Sequence, residues 1–225
     1  LIQIARDIGL DAEAFAADWE KYSSDRVDAR GVKVFYDGAL DSKTAKLLAP
    51  YVGTNDDFGT SHKTKAEFQE AILRMNANGV GVIIHVMGDG SAKELVDIFE
   101  EVRRVNGDND DILHLSHALM AQPEDLQRMA KLKGVAVDFS PALALRVPQL
   151  ETLFKNPIGE ERYDSFFNVK TAIDAGVPTG LGSDYPSSVI PDPNTFWYID
   201  TWVNRRIPGE PDSPTLNGAQ AITIE

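Results

Sequence analysis

Apolar residues along this chain follow two rhythms. Short unbroken runs cover residues 32–36, 80–86, 112–117, 135–139 and 177–181, and each closes on polar or turn-forming residues. Between them, apolar positions recur every three or four residues. The run at 80–86 (Val-Gly-Val-Ile-Ile-His-Val) is the plainest of the first kind. It reads as a parallel strand covered on both faces, since only such a strand stays apolar at nearly every position. The second rhythm predicts helices over 64–76, 91–105, from Pro123 onward, over 167–175 and over 195–203. Thr64 and Glu67 have the spacing of a capping box, and Pro123 suits a first helical turn. Residues 1–22 carry helical periodicity through Ile2, Ala5, Ile8, Ala12, Phe15 and Trp19, broken near Gly9 and Asp11. The stretch 42–60 reads as loop with some helix, and 150–163 as loop or broken helix.

Strand followed by helix, five times over, predicts an α/β fold with a parallel sheet. No Gly-x-Gly-x-x-Gly follows a strand, so the main signature of a dinucleotide-binding sheet is missing. Functional residue types at the ends of several strands favour a (β/α)8 TIM-barrel type, of which five units would be the later strands. At 225 residues the chain is close to the roughly 250 such a barrel needs. Leu1 is not an initiator methionine, and 222–225 looks like the opening of another helix. We therefore expect residues 1–225 to be a partial barrel domain of a longer protein.

Charge and composition narrow the partners. A net charge of −13 argues against nucleic acid, whose binding depends on Lys and Arg neutralising phosphates. No apolar run approaches the roughly 20 residues that cross a bilayer, so a cytoplasmic location is expected. There are no cysteines, which excludes disulfides, thiolate metal sites and cysteine nucleophiles. A small-molecule substrate is the expected partner, and homo-oligomerisation is left open.

Imidazole and carboxylate remain as ligand types. His85 and His117 each close a strand about one βα unit apart, and Asp184 follows two units later. Strand ends in a barrel face one cavity, so such distant residues converge. Two histidines and an aspartate with room for water suit a divalent metal. Taken singly, a histidine at a strand end is a hydrogen-bonded structural residue, and Asp89 serves equally as a helix cap. His62 reads as solvated. His114, three residues before His117, should lie on the opposite strand face and be structural.

Lys33 sits inside an apolar strand, where an ammonium is costly. Carbamylation by CO2 would make it an anionic ligand able to bridge two metals. A Schiff base would make it a lyase nucleophile. Snorkelling, or pairing with Asp37, would make it structural.

Four segments together resemble the amidohydrolase superfamily, and more closely its family 3 branch, which includes N-substituted formamide deformylases. They are 31–38 (Gly-Val-Lys-Val-Phe-Tyr-Asp-Gly), 84–89 (Ile-His-Val-Met-Gly-Asp), 116–118 (Ser-His-Ala) and 182–186 (Gly-Ser-Asp-Tyr-Pro). The resemblance spans roughly 31–225. It implies a metal-dependent (β/α)8 hydrolase of amide or other non-peptide C–N bonds, here carrying about strands four to eight. It further implies one or two divalent ions, zinc with iron or manganese as alternatives. His85 and His117 then correspond to the metal-binding histidines of the fifth and sixth strands. Asp184 corresponds to the eighth-strand aspartate, ligand and general base, and Lys33 to a carboxylated fourth-strand lysine. Three features depart from the pattern. No His-x-His precedes Lys33, Ser116 stands where the family has Glu, and the small β-sandwich domain is absent. Loops 40–60, 142–154 and 185–194 would shape the pocket. Tyr185, Phe196 and Trp197 are candidate walls, or equally packing residues.

Overall fold

The computed structural model describes residues 18–185 and 194–224. Five strands, β1 (Gly31–Phe35), β2 (Gly81–Val86), β3 (Leu113–His117), β4 (Val135–Phe139) and β5 (Thr179–Leu181), form one parallel sheet in the order β1-β2-β3-β4-β5. Every pairing is parallel. A doubly wound sheet reverses its strand order at a switch point. Here the order never reverses, so the sheet is an arc of a (β/α)8 barrel. Five helices follow the strands: α1 (Lys65–Ala77), α2 (Asp89–Asn106), α3 (Pro123–Met129), α4 (Val169–Ala175) and α5 (Thr195–Asn204). The first four pack neighbour to neighbour in chain order.

Alternation along the strands divides the core from the concave side. Val32, Val34, Val82, Ile84, Leu113, Leu115, Val137 and Phe139 turn toward the helices and are buried. Lys33, Phe35, Ile83, Ala136 and Asp138 turn toward the barrel axis and are half-buried. The expectation that the second strand is covered on both faces is thus corrected. Its helix side is sealed, whereas Gly81 and Ile83 border an open concavity.

Local chemistry sets the element ends. Thr64 and Glu67 form the expected capping box at the start of α1. Pro123 occupies the first turn of α3. Gly176, at φ 87°, closes α4 in the left-handed conformation that lacks a Cβ penalty. The second helix starts earlier than its periodicity indicated, at Asp89. The Asp89 carboxylate accepts the backbone N–H groups of Gly90 and Leu48, which settles that residue as structural. Residues 42–60 hold turns and no helix, contrary to expectation; the segment folds back on itself (Leu47 N–H to Phe58 O, Tyr51 N–H to Asp57 O) and is tied to Asp37 and Asp89. The expected broken helix at 150–163 is there: Pro148–Leu150 runs through a π-helical Glu151–Lys155 into Asn156–Ile158, and after Gly159 a further turn covers Glu160–Asp164. Of the expected N-terminal helices only the turn Trp19–Tyr22 falls within the described residues.

Asp37 ties the 38–60 loop to the site-bearing strand. It is fully buried. One carboxylate oxygen accepts the Met87 N–H at 3.0 Å, and the other accepts Gly88 N–H at 3.0 Å and Lys46 N–H at 3.2 Å. Gly88 has to be glycine because a Cβ there would sit 1.9 Å from the Lys46 carbonyl oxygen. Burial pushes the Asp37 carboxyl up to about 6, against the pull of those backbone N–H groups.

Two outcomes follow for Asp37→Asn. An amide presents one acceptor and one donor where two acceptors are needed, so folding stability should fall by about 1–3 kcal/mol. The folded pKa lies above the unfolded value of about 3.9, so the Asp37 contribution to stability grows as pH falls from 6 toward 4, and the amide variant lacks it. Urea denaturation should show the gap between the two widening over that window. A gap that narrows would contradict the assigned shift.

Candidate metal centre

His85 closes β2 and His117 closes β3, and their rings meet edge to face with centroids 4.9 Å apart. Both side chains are buried. Register alone would not produce this contact. Ser116 is the partner of His85, and His117 is the partner of Val86, whose side chain points to the helices. His117 reaches the other side because its backbone is left-handed, φ 70°, followed by Ala118 at φ 41°. Turning φ from the extended to the left-handed value swings the side chain across the strand. For residues with a Cβ this conformation costs about 1–3 kcal/mol, so surrounding contacts must hold it.

Those contacts come from β4 and the residue after it. Asp138 Oδ1 accepts the His117 backbone N–H at 3.2 Å. The Ser140 hydroxyl lies 2.8 Å from His117 Nδ1. On the other ring, His85 Nε2 lies 3.1 Å from the Gly38 carbonyl oxygen, which can only accept. His85 Nε2 therefore carries the hydrogen and Nδ1 keeps the lone pair. The Ser140 hydroxyl can donate or accept; in the tautomer where His117 Nδ1–H donates to it, His117 Nε2 likewise keeps a lone pair. Burial pushes both imidazoles down, His85 to about 4 and His117 to about 3, and the positive charge of Lys33 acts in the same direction. Both rings are thus neutral near pH 7, the state that binds a cation. Each is oriented through its second nitrogen, as ligating histidines are.

His114 departs from expectation. Its Nε2 stands 2.9 Å from Asp138 Oδ2, although the N–H is not aligned as a hydrogen bond. It therefore shares a carboxylate with His117 instead of occupying a separate face, because the left-handed turn at His117 interrupts the alternation. Burial works to raise the Asp138 carboxyl, but His114 alongside it and the His117 N–H hold it below the ordinary carboxylate range. Asp138 and Ser140 were missed in the sequence. Their only signal was two polar residues, two apart, at the end of an apolar strand.

Lys33 lies on the concave side of β1 with its Nζ 5.7 Å from the centre of the Phe35 ring. Among the described residues it makes no ion pair. Asp37 does not pair with it; its oxygens accept three backbone N–H groups instead. Asp184 follows β5 with a left-handed backbone, φ 51°. Partial burial raises its carboxyl, the charge of Lys33 opposes that rise, and Asp138 reinforces it. Lys33 and Asp138 are therefore the two opposite charges that His85, His117 and Asp184 all feel. The two imidazoles are in contact. Among the described residues, no three His, Asp or Glu side chains are grouped so that they could hold an ion, so the structure brings the two histidines together without Asp184 as the third ligand expected from the sequence. Of the candidate walls, Trp197 packs edge-on against Tyr198 at 5.5 Å, while Tyr185 and Phe196 are exposed. Residues 186–193, most of the loop expected beside them, lie outside the described residues.

Comparison with known proteins gives the family and the fold. An N-substituted formamide deformylase of Arthrobacter pascens is 28% identical over 166 residues, 74% of this chain and 30% of that protein. The protein LONG AFTER FAR-RED 3 of Arabidopsis thaliana is 28% identical over 175 residues, 78% of this chain and 29% of that protein. The chain thus spans under a third of the length of either relative. The crystal structure of an uncharacterized metal-dependent hydrolase from Pyrococcus furiosus superposes with a TM-score of 0.71 at 24% identity, over 93% of this chain and 41% of that one. That likeness is one of fold. A model of the amidohydrolase family matches residues 5–224. This chain belongs to the amidohydrolase family.

Proposed function

We propose that the protein containing this chain is a metal-dependent hydrolase of amide or other non-peptide C–N bonds, with its reaction centred on the rim where β2, β3 and β5 end. The observation that carries this reading is the pair of buried imidazoles in ring contact, each with one nitrogen against a neighbouring oxygen and the other nitrogen left for a cation. Family membership and the named deformylase relative support it.

In this reading His85 Nδ1 and His117 Nε2 hold a divalent cation, zinc by donor type, with iron or manganese as alternatives. When bound, such an ion makes water more acidic and polarises the scissile carbonyl. Asp184 takes the proton of the attacking water and returns it to the leaving nitrogen, a task suited to a carboxylate whose pKa is raised toward neutrality. It is also a candidate ligand. Lys33 becomes a further ligand if its amine adds to CO2, losing one proton to give a carbamate. Its lack of an ion pair among the described residues leaves it available for that chemistry. The substrate is a small molecule whose C–N bond reaches the strand ends.

Three outcomes test this in the full-length protein. Asp184→Asn should lower kcat toward N-acyl or cyclic amides by about 10²–10⁴-fold, the range for losing a general base. His117→Ala should abolish turnover, with the circular dichroism spectrum unchanged in both variants. Turnover that survives either change would refute the assignment. Growth with 13C-bicarbonate should give a carbamate resonance that Lys33→Gln removes. Absence of that resonance, with Lys33→Gln fully active, would exclude Lys33 from the site.

A further inference from the structure

The fourth strand supplies none of the residues proposed to bind metal, yet its end touches His117 at two points. Asp138 and Ser140 are two residues apart, so they extend from the same side of the chain. Asp138 Oδ1 accepts the His117 backbone N–H at 3.2 Å, and Ser140 Oγ lies 2.8 Å from His117 Nδ1. One contact governs the backbone and the other the ring. Ser140 is fully buried and its neighbour Phe139 anchors the strand in the core. Gly182 completes the arrangement on the far side. Its N–H donates to the Phe139 carbonyl at 3.0 Å, and a Cβ placed on it would lie 3.1 Å from Asp138 Oδ1. A side chain at 182 would therefore crowd the oxygen that holds His117.

We propose that β4 is the positioning strand of the site, in which Asp138 and Ser140 hold His117 in the left-handed conformation that turns its ring toward His85. Asp138 acts through the backbone and Ser140 through the choice of tautomer. Without them the His117 backbone relaxes toward the extended conformation of its register partner, and the ring leaves the concave side. Gly182 is small so that β5 can approach this clamp, which also places Asp184 two residues beyond it. The proposal rests on the metal-centre reading for its functional meaning, but the conformation of His117 can be read without any metal.

The test uses the full-length protein with Ser140→Ala, Asp138→Asn and Asp138→Ala. Imidazole 15N NMR of the metal-free native protein should show His117 as a single Nδ1–H tautomer. Ser140→Ala should replace it with a mixture and weaken zinc binding about 10–100-fold, as loss of an outer partner does. Asp138→Ala should speed exchange of the His117 amide hydrogen and weaken zinc to a similar degree. Asp138→Asn keeps an acceptor oxygen and should restore amide protection. Should Asp138→Ala fail to fold, the serine variant still decides the matter. The proposal is overturned if Ser140→Ala keeps the native tautomer, or if Asp138→Ala folds with His117 amide exchange unchanged. A native protein that binds no zinc, while the tautomer responds as expected, upholds the positioning role and removes the metal reading instead.

Discussion

The left-handed backbone at His117 is the feature on which this site depends. A parallel sheet in sequential order brings each strand end beside the next, which explains why His85 and the third strand are neighbours. It does not explain why two histidine rings touch, because His117 lies opposite a residue that faces the helices. One dihedral angle, φ 70°, changes that. The strain of about 1–3 kcal/mol it carries is small beside the hydrogen bonds and burial around it. Strained non-glycine residues gather at working sites for this reason: the surrounding fold holds a side chain where the relaxed backbone would not.

Three aspartates at the strand ends show how environment separates residues of one type. Asp37 is sealed in the core and bound to three backbone N–H groups, so it fixes loops to one another. Asp138 stands between His114 and the His117 backbone, which keeps it ionised and makes it a clamp. Asp184 has a carboxyl raised by partial burial and is under the field of Lys33. The division of labour follows from what each carboxylate is allowed to bind.

Much of this was legible in the sequence, and the reasons differ by element. The five strands are readable because they are short, mostly apolar runs, too short for helices and closed by polar or turn-forming residues; which positions face the helices, such as Val82, Ile84, Leu113 and Leu115, comes from the structure. The capping box at Thr64 and the stop at Gly176 were readable because each is a local rule satisfied within four residues. His85, His117, Asp184 and Lys33 stood out as polar groups at the ends or within apolar runs. The clamp formed by Asp138 and Ser140 was not readable. Its meaning lies in a backbone angle at a residue more than twenty positions earlier, and alternation, the rule by which strand faces are assigned, gives the wrong side for His117. The 42–60 segment was misjudged for a related reason. Its order comes from Asp37, Gly88 and Asp89, contacts distant in sequence that no local propensity encodes.

Anomalous diffraction at the zinc edge from crystals of the full-length protein grown with zinc tests the central claim most directly. The account predicts a peak on the concave side, within bonding distance of His85 Nδ1 and His117 Nε2, with His117 still left-handed and Ser140 against its other nitrogen. A peak elsewhere, or rings turned away from each other with the zinc-free rim, would contradict it.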